Sequence, residues 1–152
     1  MLFRSSLSKE ALPIIRYRTR DLTRLLAPTS RSMRRMGRIT GRSDDMLIIR
    51  GVNVFPSQVE EQVLQMPALA PHYQLVVSKD GHLDKLEVRC ELRPGAGEAL
   101  LAEEQVAALA QELKHRIKTY IGVTTSVSLL PSQGIERSMT GKARRVVDQR
   151  NK

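Results

Sequence analysis

The 152 residues contain one cysteine, no tryptophan and only five other aromatic side chains, three Tyr and two Phe. A lone thiol cannot close an internal disulfide. Cys90 alternates with Leu86, Val88 and Leu92, which suits a packed strand residue better than a nucleophile. The three histidines, His72, His82 and His115, lack ligand spacing, so no metal site is expected. No apolar run reaches the roughly 20 residues that a membrane-spanning helix needs. Residues Met1 to Lys9 have no sustained apolar stretch and read neither as a secretory signal nor as an anchor. A soluble, cytoplasmic protein with no membrane partner is therefore expected. With 41% hydrophobic and 27% charged residues the composition is that of one ordinary globular domain, with room for a tail belonging to another.

Basic charge is what the chain has in excess, a formal +9, and its distribution decides what it means. Residues 1–45 carry 11 Lys or Arg against 4 Asp or Glu, residues 46–135 carry 8 against 10, and residues 136–152 carry 6 against 2. The excess thus sits at the two ends. A folded middle of net −2 with few aromatics offers little for bases to stack on, so no nucleic-acid partner is expected and small phosphorylated ligands fit better.

From Leu12 to Arg42 short apolar pieces alternate with turn residues, too small for a core of their own. After Gly41 the pattern changes. Met46–Ile49 reads as a strand, and Pro56-Ser57 opens a helix with Ser57 and Glu60 at capping-box spacing. Tyr73–Lys79 and Lys85–Arg93 read as strands about an Asp80-Gly81 turn. Val106, Leu109, Ala110, Leu113, Ile117 and Tyr120 form one helical stripe ending at Gly122, and Val123–Leu129 alternates as a last strand. The basic end around Thr140-Gly141-Lys142 reads as an exposed loop followed by a short helix. The fold class expected is α+β: a small antiparallel sheet with two helices on one face, βαββαβ and ferredoxin-like, preceded by short strands that need sheet partners from elsewhere.

Three segments carry a resemblance. They are Tyr17-Arg18-Thr19-Arg20-Asp21, then Gly41-Arg42-Ser43-Asp44-Asp45 running into Met46–Gly51, then Ser138-Met139-Thr140-Gly141-Lys142-Ala143-Arg144-Arg145. In this order they resemble motifs of the adenylate-forming superfamily, which joins a carboxylate to AMP and passes the acyl group to a thiol. The wording of Leu12–Thr19 and Arg50–Pro56 is similar to its phenylacetate-CoA ligase branch. The resemblance implies that residues 1–42 end a large adenylate-binding domain and that residues 43–152 are the mobile C-terminal domain. Its partners would be the missing N-terminal ligase domain, a small aromatic carboxylic acid and CoA. ATP or AMP and Mg2+ would serve only the complete enzyme, with nothing bound tightly by this chain alone, and a homodimer is left open.

By the same resemblance Asp21 would hold the ribose hydroxyls, a task one carboxylate can do by accepting two hydrogen bonds. The plainer reading is a turn aspartate paired with Arg18 or Arg20. Arg20 stands where many members of the superfamily have glycine. Arg42 would reach nucleotide oxygens, against the plainer reading of a paired surface arginine, and Asp44 would be the hinge. Lys142 would be the catalytic cation, set against one more solvated lysine in a basic tail. Gly51, Val52, Asn53 and Phe55 would line the CoA tunnel, although Phe55 reads equally as packing. A phosphate-cradling P-loop is excluded, since Glu136 stands at its first glycine and Ala143 at its Ser or Thr. A free-standing ferredoxin-like module that binds a small metabolite is the alternative function, for which residues 46–130 would suffice.

Overall fold

The computed structural model describes residues 3–5, 11, 14–30, 32–94, 103–136 and 144–150. The chain divides into two compact units, Met1–Met46 and Leu47–Lys152.

The first unit is built from two-residue ladders, all antiparallel. Phe3–Arg4 pairs with Tyr17–Arg18, Asp21–Leu22 with Gly41–Arg42, and Leu25–Leu26 with Arg35–Met36. Thr23 donates its hydroxyl to the Gly37 carbonyl at 2.8 Å, and the Gly37 N–H donates to the Arg24 carbonyl at 2.8 Å. A Cβ on Gly37 would lie 3.2 Å from both the Arg24 side chain and its carbonyl, so the strands approach closely there. Ladders this short bury little: Ile15, Tyr17, Leu25 and Met33 are all exposed.

The second unit holds the core. It runs β1 (Leu47–Ile49), β2 (Val52–Val54), α1 (Pro56–Leu64), β3 (Leu69–Asp80), β4 (Leu83–Leu92), α2 (Glu103–Ile121), β5 (Ser126–Leu130) and β6 (Val146–Asp148). β1 and β2 form a hairpin whose two connecting residues, Arg50 and Gly51, both have positive φ (50° and 80°). Two left-handed residues in a two-residue connection give the turn whose twist matches the flanking strands. Four strands form the main sheet in the order β5-β4-β3-β6, with β3 and β4 antiparallel and the two outer strands parallel to their neighbours. Period-2 alternation puts Tyr73, Leu75 and Val77 opposite Cys90, Val88 and Leu86 on one face. Val59 and Val63 of α1 and Leu113 and Ile117 of α2 pack into that same cluster. At the end of α2, Gly122 takes φ +84° and donates its N–H to the Lys118 carbonyl, the left-handed cap its position predicts.

The α+β class with two helices and a sheet is as expected, but the sheet differs from a purely antiparallel βαββαβ arrangement. Leu47–Ile49 closes on Val52–Val54 through its tight turn and does not enter the main sheet. The edge beside β3 is taken by Val146–Asp148, where a short helix was expected. Its two β-branched residues suit a strand, and Val146 packs against the core. The cap of α1 also differs: Pro56 is the first helical residue, and Gln58, two positions on, reaches back so that its Oε1 accepts from the Phe55 N–H at 3.1 Å. Tyr120, expected on the buried stripe of α2, is exposed. Among the described residues no helix is long and apolar enough to cross a membrane.

Candidate functional site

Within the first unit the structure brings together three of the residues singled out from sequence. Asp21 and Arg42 are direct cross-strand partners in their two-residue ladder, and the Asp21 N–H donates to Thr19 Oγ1 at 3.4 Å. Arg42 grips Asp44 with two parallel hydrogen bonds, Nε to Oδ1 at 3.0 Å and Nη2 to Oδ2 at 2.8 Å. Arg20 Nη1 lies 3.6 Å from the same carboxylate, and Asp45 lies 3.9 Å from Arg42 Nε. The hydrogen bonds from Arg42 are the largest influence on Asp44 and pull its carboxyl down to about 2, while Arg42 is raised in return by Asp44, with Asp45 and Asp21 adding smaller contributions. The result is a solvent-facing cluster of two guanidinium groups and three carboxylates. Such a cluster can present acceptors to a diol and cations to an anionic ligand from one short ladder.

Arg20 has φ +65°. That left-handed conformation is one that glycine enters without the cost an arginine bears.

In the second unit, Gly51 sits at the tip of the β1–β2 hairpin, and a Cβ there would meet nothing within 4 Å. Its positive φ, and not crowding, is what asks for glycine. Val52 is half-buried, Asn53 exposed, and Phe55 half-buried at the mouth of α1. Arg50 Nη2 donates to the Thr124 carbonyl at 2.5 Å, and Arg150 Nη1 donates to the Ile48 carbonyl at 3.2 Å, so two guanidinium groups hold the hairpin from separate sides of the chain.

Lys142, with the rest of Arg137–Ala143, lies outside the described residues. The segments flanking it are well anchored. Upstream, the Ile135 N–H donates to Oε1 of the buried Glu91 at 2.9 Å. Downstream, Arg145 meets Glu60 of α1 through Nη2–Oε1 at 2.6 Å and Nη1–Oε2 at 3.0 Å, and lies 5.4 Å from the Tyr73 ring centroid. From sequence Glu60 reads only as a helix-cap residue and Tyr73 and Glu91 only as strand residues, because their partners here are distant along the chain and leave no periodic signature.

Cys90 is buried, and burial pushes its thiol up to about 12, so it serves packing. Among the described residues no group of three or more His, Cys, Asp or Glu gathers to hold a metal ion. A cleft of about 230 Å³ between α1 and the end of α2, lined by Gln58, Gln62 and Tyr120 among others, contains none of the candidate site residues.

Comparison with known proteins gives the family. The chain is 61% identical over 148 residues to phenylacetate-coenzyme A ligase of Aromatoleum evansii and 56% identical over 147 residues to that of Escherichia coli (strain K12). Each match covers 97% of this chain and 33% of the relative, so the chain spans about a third of the length of those ligases. Among solved structures, a domain of phenylacetate-coenzyme A ligase from Bacteroides vulgatus superposes with a TM-score of 0.63 at 33% identity, over 70% of this chain and 94% of that one. A 2-hydroxyisobutyryl-CoA ligase in its postadenylation state superposes with a TM-score of 0.73 at 32% identity, over 91% of this chain and 29% of that one. Residues 51–150 match the AMP-binding enzyme C-terminal domain, and to that family this chain belongs.

Proposed function

We propose that this chain is the C-terminal part of a phenylacetate-CoA ligase, which converts a small aromatic acid, ATP and CoA to acyl-CoA, AMP and diphosphate through an acyl-adenylate. The observation that carries the reading is the pairing of Asp21 with Arg42 across a short ladder, and of Arg42 with Asp44 in the turn that follows, in a chain so similar to such ligases. A free-standing metabolite-binding module would leave that cluster without purpose.

In the first half-reaction a carboxylate oxygen attacks the α-phosphorus and diphosphate departs. Asp21 accepts hydrogen bonds from both ribose hydroxyls and fixes the nucleotide, and Arg42 faces its oxygens when released from Asp44. Lys142 brings a compact cation to the α-phosphate, where negative charge builds. In the second half-reaction the CoA sulfur attacks the acyl carbonyl and AMP leaves. Asp44 is the hinge between the two poses, and Gly51, Val52, Asn53 and Phe55 flank the path of the pantetheine arm. Residues 1–42 close the large domain and residues 43–152 form the mobile one. Magnesium accompanies ATP on the large domain, as does the acid pocket. The protein works in the cytoplasm, and a homodimer is compatible with it.

The test separates the half-reactions. In a ligase complete with its large domain, Lys142→Ala should lower acid-dependent pyrophosphate exchange by at least about a hundredfold. Thioester formation from supplied phenylacetyl-adenylate should survive. The isolated chain should support neither adenylation nor exchange, and wild-type exchange in the Lys142→Ala enzyme would falsify the assignment.

A further inference from the structure

Gln58, Glu61 and Gln62 of α1 and its cap residue Gln65 are spaced i, i+3, i+4 and i+7, which gathers them on one face. Where a helix face meets another helix, apolar residues ordinarily hold those positions. Here all four are polar, and with Tyr120 and Ile121 at the end of α2 they line the cleft of about 230 Å³. A cavity of about 150 Å³ is enough to hold benzene, so the space admits a small organic molecule.

Gln62 is the anomaly among them. The residue is only 5% exposed, and its Oε1 is shut from solvent and accepts no hydrogen bond from any described residue. An unmatched buried amide oxygen works against folding, and an apolar side chain of the same size would fill the place without that cost. The neighbouring amide oxygens are already used: Gln58 Oε1 accepts from the Phe55 N–H at 3.1 Å, and Gln65 Oε1 accepts from Arg116 Nη2. Arg116 also lies 3.7 Å from Glu112, so its charge is answered on its own helix. Glu60 pairs with Arg145, whereas Glu61 beside it has no ion-pair partner among the described residues. The cleft thus offers two unmatched acceptors, one of them a full negative charge. Next to them stands the ring of Tyr120, 67% exposed although it continues the apolar stripe of α2.

We propose that this cleft is a binding site for a small organic amine in its ammonium form. The ammonium donates to the Glu61 carboxylate and to Gln62 Oε1, its charge lies against the Tyr120 ring, and its alkyl chain covers Ile121. An anion would meet the Glu61 carboxylate, and a neutral alcohol would leave that charge unanswered. The site shares no residue with the cluster of Asp21, Arg42 and Asp44 and does not depend on the function proposed above.

The experiment titrates n-butylammonium chloride into the full chain labelled with 15N, with butan-1-ol, sodium butyrate and sodium chloride as controls at matched ionic strength. The Gln62 side-chain amide and the backbone of α1 and of the Tyr120 region should shift together and saturate with a Kd of about 1–10 mM, while the controls leave them in place. Glu61→Gln and Gln62→Met should each weaken binding at least about tenfold, and Tyr120→Leu about threefold. Gln62→Met should unfold at the same denaturant concentration as wild type or a higher one, as removal of an unmatched acceptor requires. A lower midpoint would mean that Oε1 has a partner in the folded chain and would overturn the proposal. Glu61 is exposed, so Glu61→Gln decides the matter if Gln62→Met fails to fold. Shifts that never saturate and spread over the other surface carboxylates, equal shifts with butan-1-ol, or unchanged affinity in Glu61→Gln would each sink it. Tighter binding of Nα-acetyl-lysinamide than of n-butylammonium would assign the cleft to a peptide side chain and overturn the free amine.

Discussion

Asp44 shows how a short-range interaction sets the chemistry of a single side chain. Its carboxyl, ordinarily near 3.8, is held at about 2 chiefly by the Arg42 guanidinium. Because the folded value lies below the unfolded one, the pair favours the folded state above about pH 4, and that contribution fades as pH falls toward 2. A titration followed by NMR of the side-chain carboxyl should give a midpoint near 2 for Asp44, rising toward 4 in Arg42→Ala. A midpoint unchanged by that substitution would remove Arg42 as the cause. At this scale the sequence was informative about chemistry and silent about pairing. Asp21, Arg42 and Asp44 stand out from the motifs, but nothing in their spacing says that Asp21 sits across a ladder from Arg42 or that Arg42 spends its two donors on Asp44.

The elements divide by how local their causes are. Strand β4 and helix α2 are legible because each carries an uninterrupted period: Leu86, Val88 and Cys90 are buried at every second residue, and Leu113 and Ile117 at helical spacing. Strand β6 has no such period, only two valines among basic residues, and it is a strand because β3 leaves an open edge for it. The β1–β2 hairpin hides for another reason, since Arg-Gly is not among the common two-residue turns and Arg50 adopts φ 50° only because the ladder on either side demands it. Gly51→Ala should therefore lower stability by about 1 kcal/mol through backbone strain alone, with no steric clash to add. Chemical denaturation measures that loss. If the hairpin flanks the pantetheine arm as proposed, the same substitution in the complete enzyme should leave adenylation unchanged and slow thioester formation.

At the scale of the molecule the two units differ in kind. Leu47–Lys152 contains a continuous core, whereas Met1–Met46 leaves Ile15, Tyr17, Leu25 and Met33 exposed. A surface of that sort is ordinarily covered, and this chain spans about a third of the length of its relative. Residues 47–152 alone should keep far-UV circular dichroism characteristic of two helices and a sheet while binding less of an apolar-surface dye than the whole chain. Equal dye binding by both would place the sticky surface elsewhere. Arg150 has a consequence on the same scale: it hydrogen-bonds the Ile48 carbonyl and also reaches Asp84 at 3.3 Å and Asp148 at 2.6 Å. One guanidinium thus rivets the downstream strand to the upstream hairpin, so β1–β2 and β6 ride on a single carriage. Clipping the polypeptide just ahead of Arg150 would loosen a joint 102 residues away.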